Sequence, residues 1–311
     1  MDIPKINYTG SIKETELGKG DKAVKVGGET IYPFHLFEGS MPNVPKIAIE
    51  VYDCPPEDWA PAALEPYKDV VNDPVAWAKK CVNDYGAEIV ALQLTSIDPN
   101  GLNRSTDEAT QVVKSVADAI DVPLIVWGCA DETKDEETLR NILEVCEDKR
   151  LIVGPLTEKN YKRLGAGAIG FNHTVIASTP IDINLAKQLN ILLDNLGVPE
   201  KQIVMDPTTG GLGYGIEYTY SVMERLKMAA LTQGDDKLQV PMVCNLAKEV
   251  WKCKEAKQSA EEAPLLGDPK SRGILMEAMT AMLLILGGAN ILIMRHPEAI
   301  NLIRWAISEF S

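Results

Sequence analysis

The chain has 311 residues, and 45 acidic against 31 basic side chains leave a formal charge of −14. So acidic a chain excludes a dedicated nucleic-acid binder, which needs clustered Lys and Arg against phosphate, and it argues against docking on an anionic membrane. Apolar residues make up 45% and charged residues 24%, the balance of a folded protein with a sizeable core.

Residues 1–46 stand apart from the rest. The opening MDIPKINYTG lacks a basic stretch followed by an apolar one, so no secretory signal is expected there. Residues 23–32 read as two short alternating runs around Gly27-Gly28, a hairpin signal. Such a hairpin is too small to stand alone and would plug a barrel or extend an interface. Pro42 and Pro45 then lead into the first of eight short apolar runs, at 47–54, 89–98, 123–130, 151–156, 168–175, 202–208, 241–247 and 290–296. All are apolar on both faces, as parallel strands covered by helices must be.

The segments between the runs carry helix signals. Ser105 and Glu108 form a capping-box pattern ahead of an amphipathic stretch. Residues 181–196 are amphipathic and stop at Gly197, with Pro199 beyond. Residues 221–233 and 273–286 are richer in Leu and Met, and 297–310 opens on Pro297, a favoured first-turn residue. The most apolar stretch, 279–294, is shorter than a membrane span and is cut by Gly-Gly-Ala-Asn, so it predicts a buried helix followed by a buried strand. Roughly eight strand–helix units over 47–311 predict an α/β (β/α)8 TIM barrel behind the N-terminal extension 1–46, with a doubly wound open sheet as the alternative.

In such a barrel, chemistry lies at the C-terminal strand ends. The runs place Asp53, Asp98, Trp127-Gly128, Gly154-Pro155, Asn172-His173-Thr174, Asp206, Asn245 and Arg295-His296 there. The segment 205–215, MDPTTGGLGYG, is the most informative, because its glycines let backbone N–H groups approach a ligand. It fits neither a P-loop nor a dinucleotide fingerprint. His35, His173 and His296 lie on different units without zinc-ligand spacing. The six cysteines form no C-x-x-C pair, which predicts reduced core thiols and no iron–sulfur cluster held by this chain alone. G-x-S-x-G is absent, Cys129 has no identifiable partner histidine, and no predicted strand end carries an aldolase-type lysine. The cobalt-ligating D-x-H-x-x-G motif is absent as well.

The segment 205–251, running from MDPTTGGLGYGIEYTY to PMVCNLAKEVW, resembles the small, delta-type subunit of the corrinoid iron–sulfur protein of the acetyl-CoA decarbonylase/synthase (Wood–Ljungdahl) system. Residues 35–81 and 168–190 are similar to the same family, so the resemblance spans essentially the whole chain. It implies a TIM barrel paired as a heterodimer with a large subunit that carries a [4Fe-4S] cluster and a corrinoid (cobalamin) domain, the corrinoid being shared at the interface. It further implies a cytoplasmic methyl carrier. The methyl group comes from methyltetrahydrofolate through a methyltransferase and goes to acetyl-CoA synthase/CO dehydrogenase, the isolated chain being non-catalytic. On this reading Thr208, Thr209, Gly210, Gly211, Leu212 and Gly213 form the edge of the corrinoid grip, beside Asp206, with Asn172, Thr174, Asn245 and Trp127 on neighbouring units. The alternative is a catalytic pterin:corrinoid methyltransferase using Asp206 and Asn245. Against it, Gly154-Pro155 and Gly128-Cys129 stand where the related pterin-binding methyltransferases tend to place polar side chains.

Overall fold

The structure, a computed structural model, describes residues 4–311. Its ten strands are β1 (Thr15–Leu17), β2 (Val24–Val26), β3 (Lys46–Tyr52), β4 (Ile89–Gln93), β5 (Leu124–Trp127), β6 (Ile152–Leu156), β7 (Thr174–Ser178), β8 (Ile203–Asp206), β9 (Val243–Asn245) and β10 (Ile291–Met294). β3 to β10 form one parallel sheet in the order β8-β7-β6-β5-β4-β3-β10-β9, with helices between successive strands. Its two edges, β8 and β9, meet at a bridge between Met205 and Met242, where Met205 N–H donates to the Pro241 carbonyl at 2.8 Å. The sheet is therefore a barrel with one thin seam.

Alternation along the strands divides the core in two. Ala48, Ile89, Ala91, Ile125, Ile152, Ile176, Val204, Val243, Ile291 and Ile293 fill the barrel, and the intervening residues pack beneath the helices. Full burial of a Val, Leu or Ile side chain is worth about 1.5–3 kcal/mol, so the two layers dominate the stability.

The hairpin differs from its sequence expectation. Val24–Val26 pairs backward with Thr15–Leu17 rather than forward across Gly27-Gly28. Gly27 and Gly28 have φ of +80° and +87°, and a Cβ on Gly27 would lie 2.2 Å from the Lys13 carbonyl oxygen, so the pair makes a close crossing with the preceding chain. Leu17, Val24 and Val26 join the interior cluster of the barrel. The hairpin thus plugs the N-terminal end of the barrel, and the Arg150–Glu16 ion pair at 2.9 Å straps it there.

Other boundaries follow their signals. The Ser105–Glu108 capping box is formed, and the helix Ile183–Leu196 ends at left-handed Gly197. The run 168–175 is a correction. Helix Tyr161–Phe171 continues through it to a left-handed Asn172 with φ of +58°, and β7 begins only at Thr174. The stretch 279–294 also departs from expectation. Its strand is buried, but the helix Pro269–Leu286 covers the barrel with one face and exposes the other. Among the described residues no helix is long and apolar enough to cross a membrane.

Candidate functional site at the barrel mouth

Two residues above the last filled apolar layer, each strand contributes one inward position. These are Glu50, Gln93, Trp127, Gly154, Ser178, Asp206, Asn245 and Arg295. The layer is held together by pairs. Arg295 Nε donates to Glu50 Oε2 at 2.7 Å, Gln93 Nε2 donates to Asn245 Oδ1 at 3.1 Å, and Ser178 Oγ donates to Asp206 Oδ2 at 2.6 Å. Glu50 and Arg295 are buried, and the guanidinium lies 3.7 Å from the Trp59 ring centroid. Gly154 leaves its position empty because a Cβ there would lie 2.6 Å from Ile176 Cβ.

The loop after β8 is folded on itself. Asp206 Oδ1 accepts the Thr208 N–H at 3.0 Å, which turns Thr208 into the left-handed region at φ of +62°. The Thr208 hydroxyl then donates to the Thr179 carbonyl at 2.6 Å. Gly210 N–H donates to Thr219 Oγ1 at 2.8 Å, and a Cβ on Gly210 would lie 2.6 Å from the Gly215 backbone. The glycines therefore pack the loop tightly rather than presenting a row of free N–H groups. Thr208 and Gly213 are exposed, Leu212 is half-buried, and Thr209, Gly210 and Gly211 are buried. Beside the loop, Thr157, Thr179, Pro180, Thr208, Leu185 and Leu189 line a largely apolar cleft of about 530 Å³.

The mouth gathers Trp127, Asp206, Asn245 and the loop 208–213. It does not gather Asn172 or Thr174, which lie at the N-terminal end of β7, on the far side of the barrel. Asn172 caps a helix and accepts from Gln202 Nε2, and Thr174 is fully buried. His173 belongs to the same end. Its Nδ1 accepts the Leu151 N–H at 3.0 Å, and burial lowers its pKa. β4 ends at Gln93, so Asp98 sits in a turn beyond the strand, accepting the Asn100 N–H at 2.8 Å. Asp53 accepts Ser96 N–H at 2.9 Å, and burial raises its pKa against the pull of that bond. Gly128 makes room for Asp135, which accepts the Cys129 and Ala130 N–H groups at 2.8 and 3.0 Å. Burial pushes the Cys129 thiol up to about 12, away from nucleophilic use. Among the described residues no three His, Cys, Asp or Glu side chains are grouped to hold a metal ion.

Gln93, Glu50 and Ser178 were missed by the strand-end reading. A Glu and a Gln inside the apolar runs 47–54 and 89–98 were the available signal, since a parallel strand has no solvent face on which to hide them.

Burial raises the Asp206 carboxyl from 3.8 to about 6, against the pull of Ser178 and the Thr208 N–H. The folded state thus holds a proton that the unfolded chain has released. The sign follows: Asp206 contributes stability below about pH 4, and that contribution is lost as the pH rises through about 6. At about 1.4 kcal/mol per unit, wild type is expected to lose about 3 kcal/mol relative to Asp206→Asn across that window. Urea denaturation of both chains at a series of pH values measures it.

A model of the CO dehydrogenase/acetyl-CoA synthase delta subunit matches residues 14–306. The chain belongs to this family. The delta subunit of the acetyl-CoA decarbonylase/synthase complex from Methanopyrus kandleri is 36% identical to it over 93% of this chain and 71% of that protein. That from Methanothermobacter thermautotrophicus is 35% identical over 96% and 75%. Membership of the delta-subunit family supports a role in the acetyl-CoA system and implies partners within that complex. Among solved structures, dihydropteroate synthase from Thermus thermophilus in complex with 4-aminobenzoate superposes with a TM-score of 0.59 at 15% identity, covering 96% of this chain and 98% of that one. At that identity it establishes the TIM-barrel fold that the delta-subunit chain adopts.

Proposed function

We propose that this delta-family barrel covers one face of a corrinoid held by a larger subunit, within a cytoplasmic heterodimeric methyl carrier. The observation that carries the reading is the internally paired mouth layer. Glu50 is committed to Arg295, Gln93 to Asn245, and Asp206 to Ser178 and the Thr208 N–H. Such a layer supports covering a ligand better than transforming one.

The residues present suit a corrinoid, a broad disc edged with amide arms. Thr208 presents an exposed rim beside Leu212 and Gly213, and Trp127 offers a half-buried apolar ring in the mouth. Thr179 Oγ1 is a buried hydroxyl oxygen at the cleft without a hydrogen-bond partner among the described residues. When bound, the corrinoid supplies the cobalt centre that carries a methyl group. This chain's residues would orient the disc and exclude water from its face. The [4Fe-4S] cluster belongs to the large subunit in this reading. A methyltetrahydrofolate:corrinoid methyltransferase and acetyl-CoA synthase/CO dehydrogenase are the donor-side and acceptor-side partners.

The test is reconstitution with the large subunit. Thr208→Gly removes the rim side chain, and with it the hydroxyl bond to the Thr179 carbonyl, at a position whose φ suits glycine. Combined with Leu212→Ala, it is expected to cut corrinoid retention, read from the visible absorption, by about tenfold, near 1.4 kcal/mol of binding. Unchanged retention together with an unchanged methyl-transfer rate overturns the proposal.

A second reading rests on the placement of Asp206 and Asn245, which share the inward layer at the ends of β8 and β9. There they could hold a pterin for catalysis by this chain itself. Micromolar binding of methyltetrahydrofolate to the purified chain alone would favour that reading.

A further inference from the structure

The cleft beside the loop after β8 runs outward from the mouth. Ser178 and Thr208 stand at its mouth side, and Leu185, Leu189 and Leu192 line it from the helix Ile183–Leu196. Positions 185, 189 and 192 follow four-three spacing, so a single stripe of that helix faces the cleft. Leu189 is buried, Leu192 is half-buried and Leu185 is 37% exposed, so the stripe reaches from the core to the surface. Its volume of about 530 Å³ is that of a small-molecule pocket rather than of a packing gap.

Most polar groups around the cleft are engaged. Lys159 pairs with Glu132 at 2.6 Å, and Gln188 Nε2 donates to Glu158 Oε1 at 3.4 Å. The Ser178 and Thr208 hydroxyls donate to Asp206 and to the Thr179 carbonyl. Thr179 differs. Its main chain is fully used, because its N–H also donates to the Asp206 carbonyl at 3.1 Å. Its hydroxyl, on a residue only 8% exposed, has no partner among the described residues. A buried hydroxyl left unpaired is costly, and a ligand group that meets it recovers the cost.

Charge narrows the ligand. With Lys159 engaged by Glu132, Glu158 is the excess charge among the lining residues, and it repels an anion. The leucine walls penalise a bare charge of either sign. We propose that the cleft binds a neutral, largely apolar small molecule of about two-ring size, whose single hydroxyl or amide meets the Thr179 hydroxyl. The site is built by this chain alone and does not rest on the corrinoid reading.

The probe is naphthalen-2-ylmethanol, compared with 2-naphthoate, which carries a carboxylate on the same rings. Equilibrium dialysis against the purified full chain is expected to show one saturable site that holds the alcohol about tenfold more tightly than the carboxylate. Leu185→Trp fills the cleft from an exposed position. It is expected to weaken the alcohol about tenfold and to leave the melting transition in place. Thr179→Val keeps the shape of the side chain and removes the hydroxyl. It is expected to weaken the alcohol about fivefold and to melt no lower than wild type, since the unpaired hydroxyl is gone. No saturable binding overturns the proposal, and so does equal affinity for the two probes. Alcohol binding untouched by Leu185→Trp overturns it as well, because the probe then sits elsewhere. Loss in Leu185→Trp with wild-type binding in Thr179→Val overturns the assignment of Thr179 to the polar end.

Discussion

Replacing Lys227 by Met is expected to lower the unfolding free energy by about 3–5 kcal/mol, the cost of leaving a buried charge without its partner. Lys227 and Glu29 have side chains only 2% and 5% exposed, and they form an ion pair beneath the barrel. Asn290 completes the group. Its Nδ2 donates to Glu29 Oε1 at 2.9 Å, while its Oδ1 accepts from Lys227 Nζ at 3.2 Å and from Met242 N–H at 3.0 Å. Burial alone would raise the Glu29 carboxyl, yet the lysine and the amide hold it below its ordinary range. Without the ammonium, that carboxyl must either take up a proton or drag water under the sheet. Urea denaturation measures the loss, and the double substitution Lys227→Met with Glu29→Leu is expected to recover most of it, because no buried charge then remains. A double variant no more stable than Lys227→Met would show that the pair matters for its shape rather than its charge.

Arg295→Met is expected to cost a similar amount, about 3–5 kcal/mol, at the opposite end of the barrel. It leaves Glu50, fully buried in the mouth layer, with neither of its oxygens partnered among the described residues. The guanidinium also donates to the Tyr52 hydroxyl at 3.2 Å and stacks on Trp59. Arg295→Lys is expected to recover only part of the loss, because an ammonium cannot serve Glu50, Tyr52 and the indole face from one point. Lys227 and Arg295 share no partner, so the combined variant should add within about 0.5 kcal/mol. A larger deviation would mean that the two ends of the barrel are mechanically coupled.

Most of the architecture was legible because its signals are local. Eight runs apolar on both faces, separated by helices with ordinary caps, admit few arrangements, and Ser105 and Gly197 mark helix ends as their chemistry requires. The boundary at 168–175 was not legible. Ala168, Ile169, Gly170 and Phe171 are as apolar as a strand, and only tertiary packing makes them the last turn of a helix. That one misreading carried Asn172 and Thr174 to the wrong end of the barrel. The partners of the hairpin strand were equally hidden, since Val24–Val26 alternates the same way whichever neighbour it pairs with. The site was legible as positions but not as pairs. Asp206 and Asn245 could be placed at strand ends, whereas the Gln93–Asn245 and Glu50–Arg295 contacts join residues 152 and 245 positions apart.

The plug under the barrel has a consequence for the order of assembly. Thr9 and Gly10 hydrogen-bond to Leu231, Lys13 to Gln239, and Glu29 reaches Lys227 from 198 positions away. These ties lie along the thin seam between β8 and β9. During synthesis the segment 9–29 must therefore wait for some two hundred residues to emerge before it finds its seat. Until then that segment has no seat on the barrel, although it is among the earlier parts to be made.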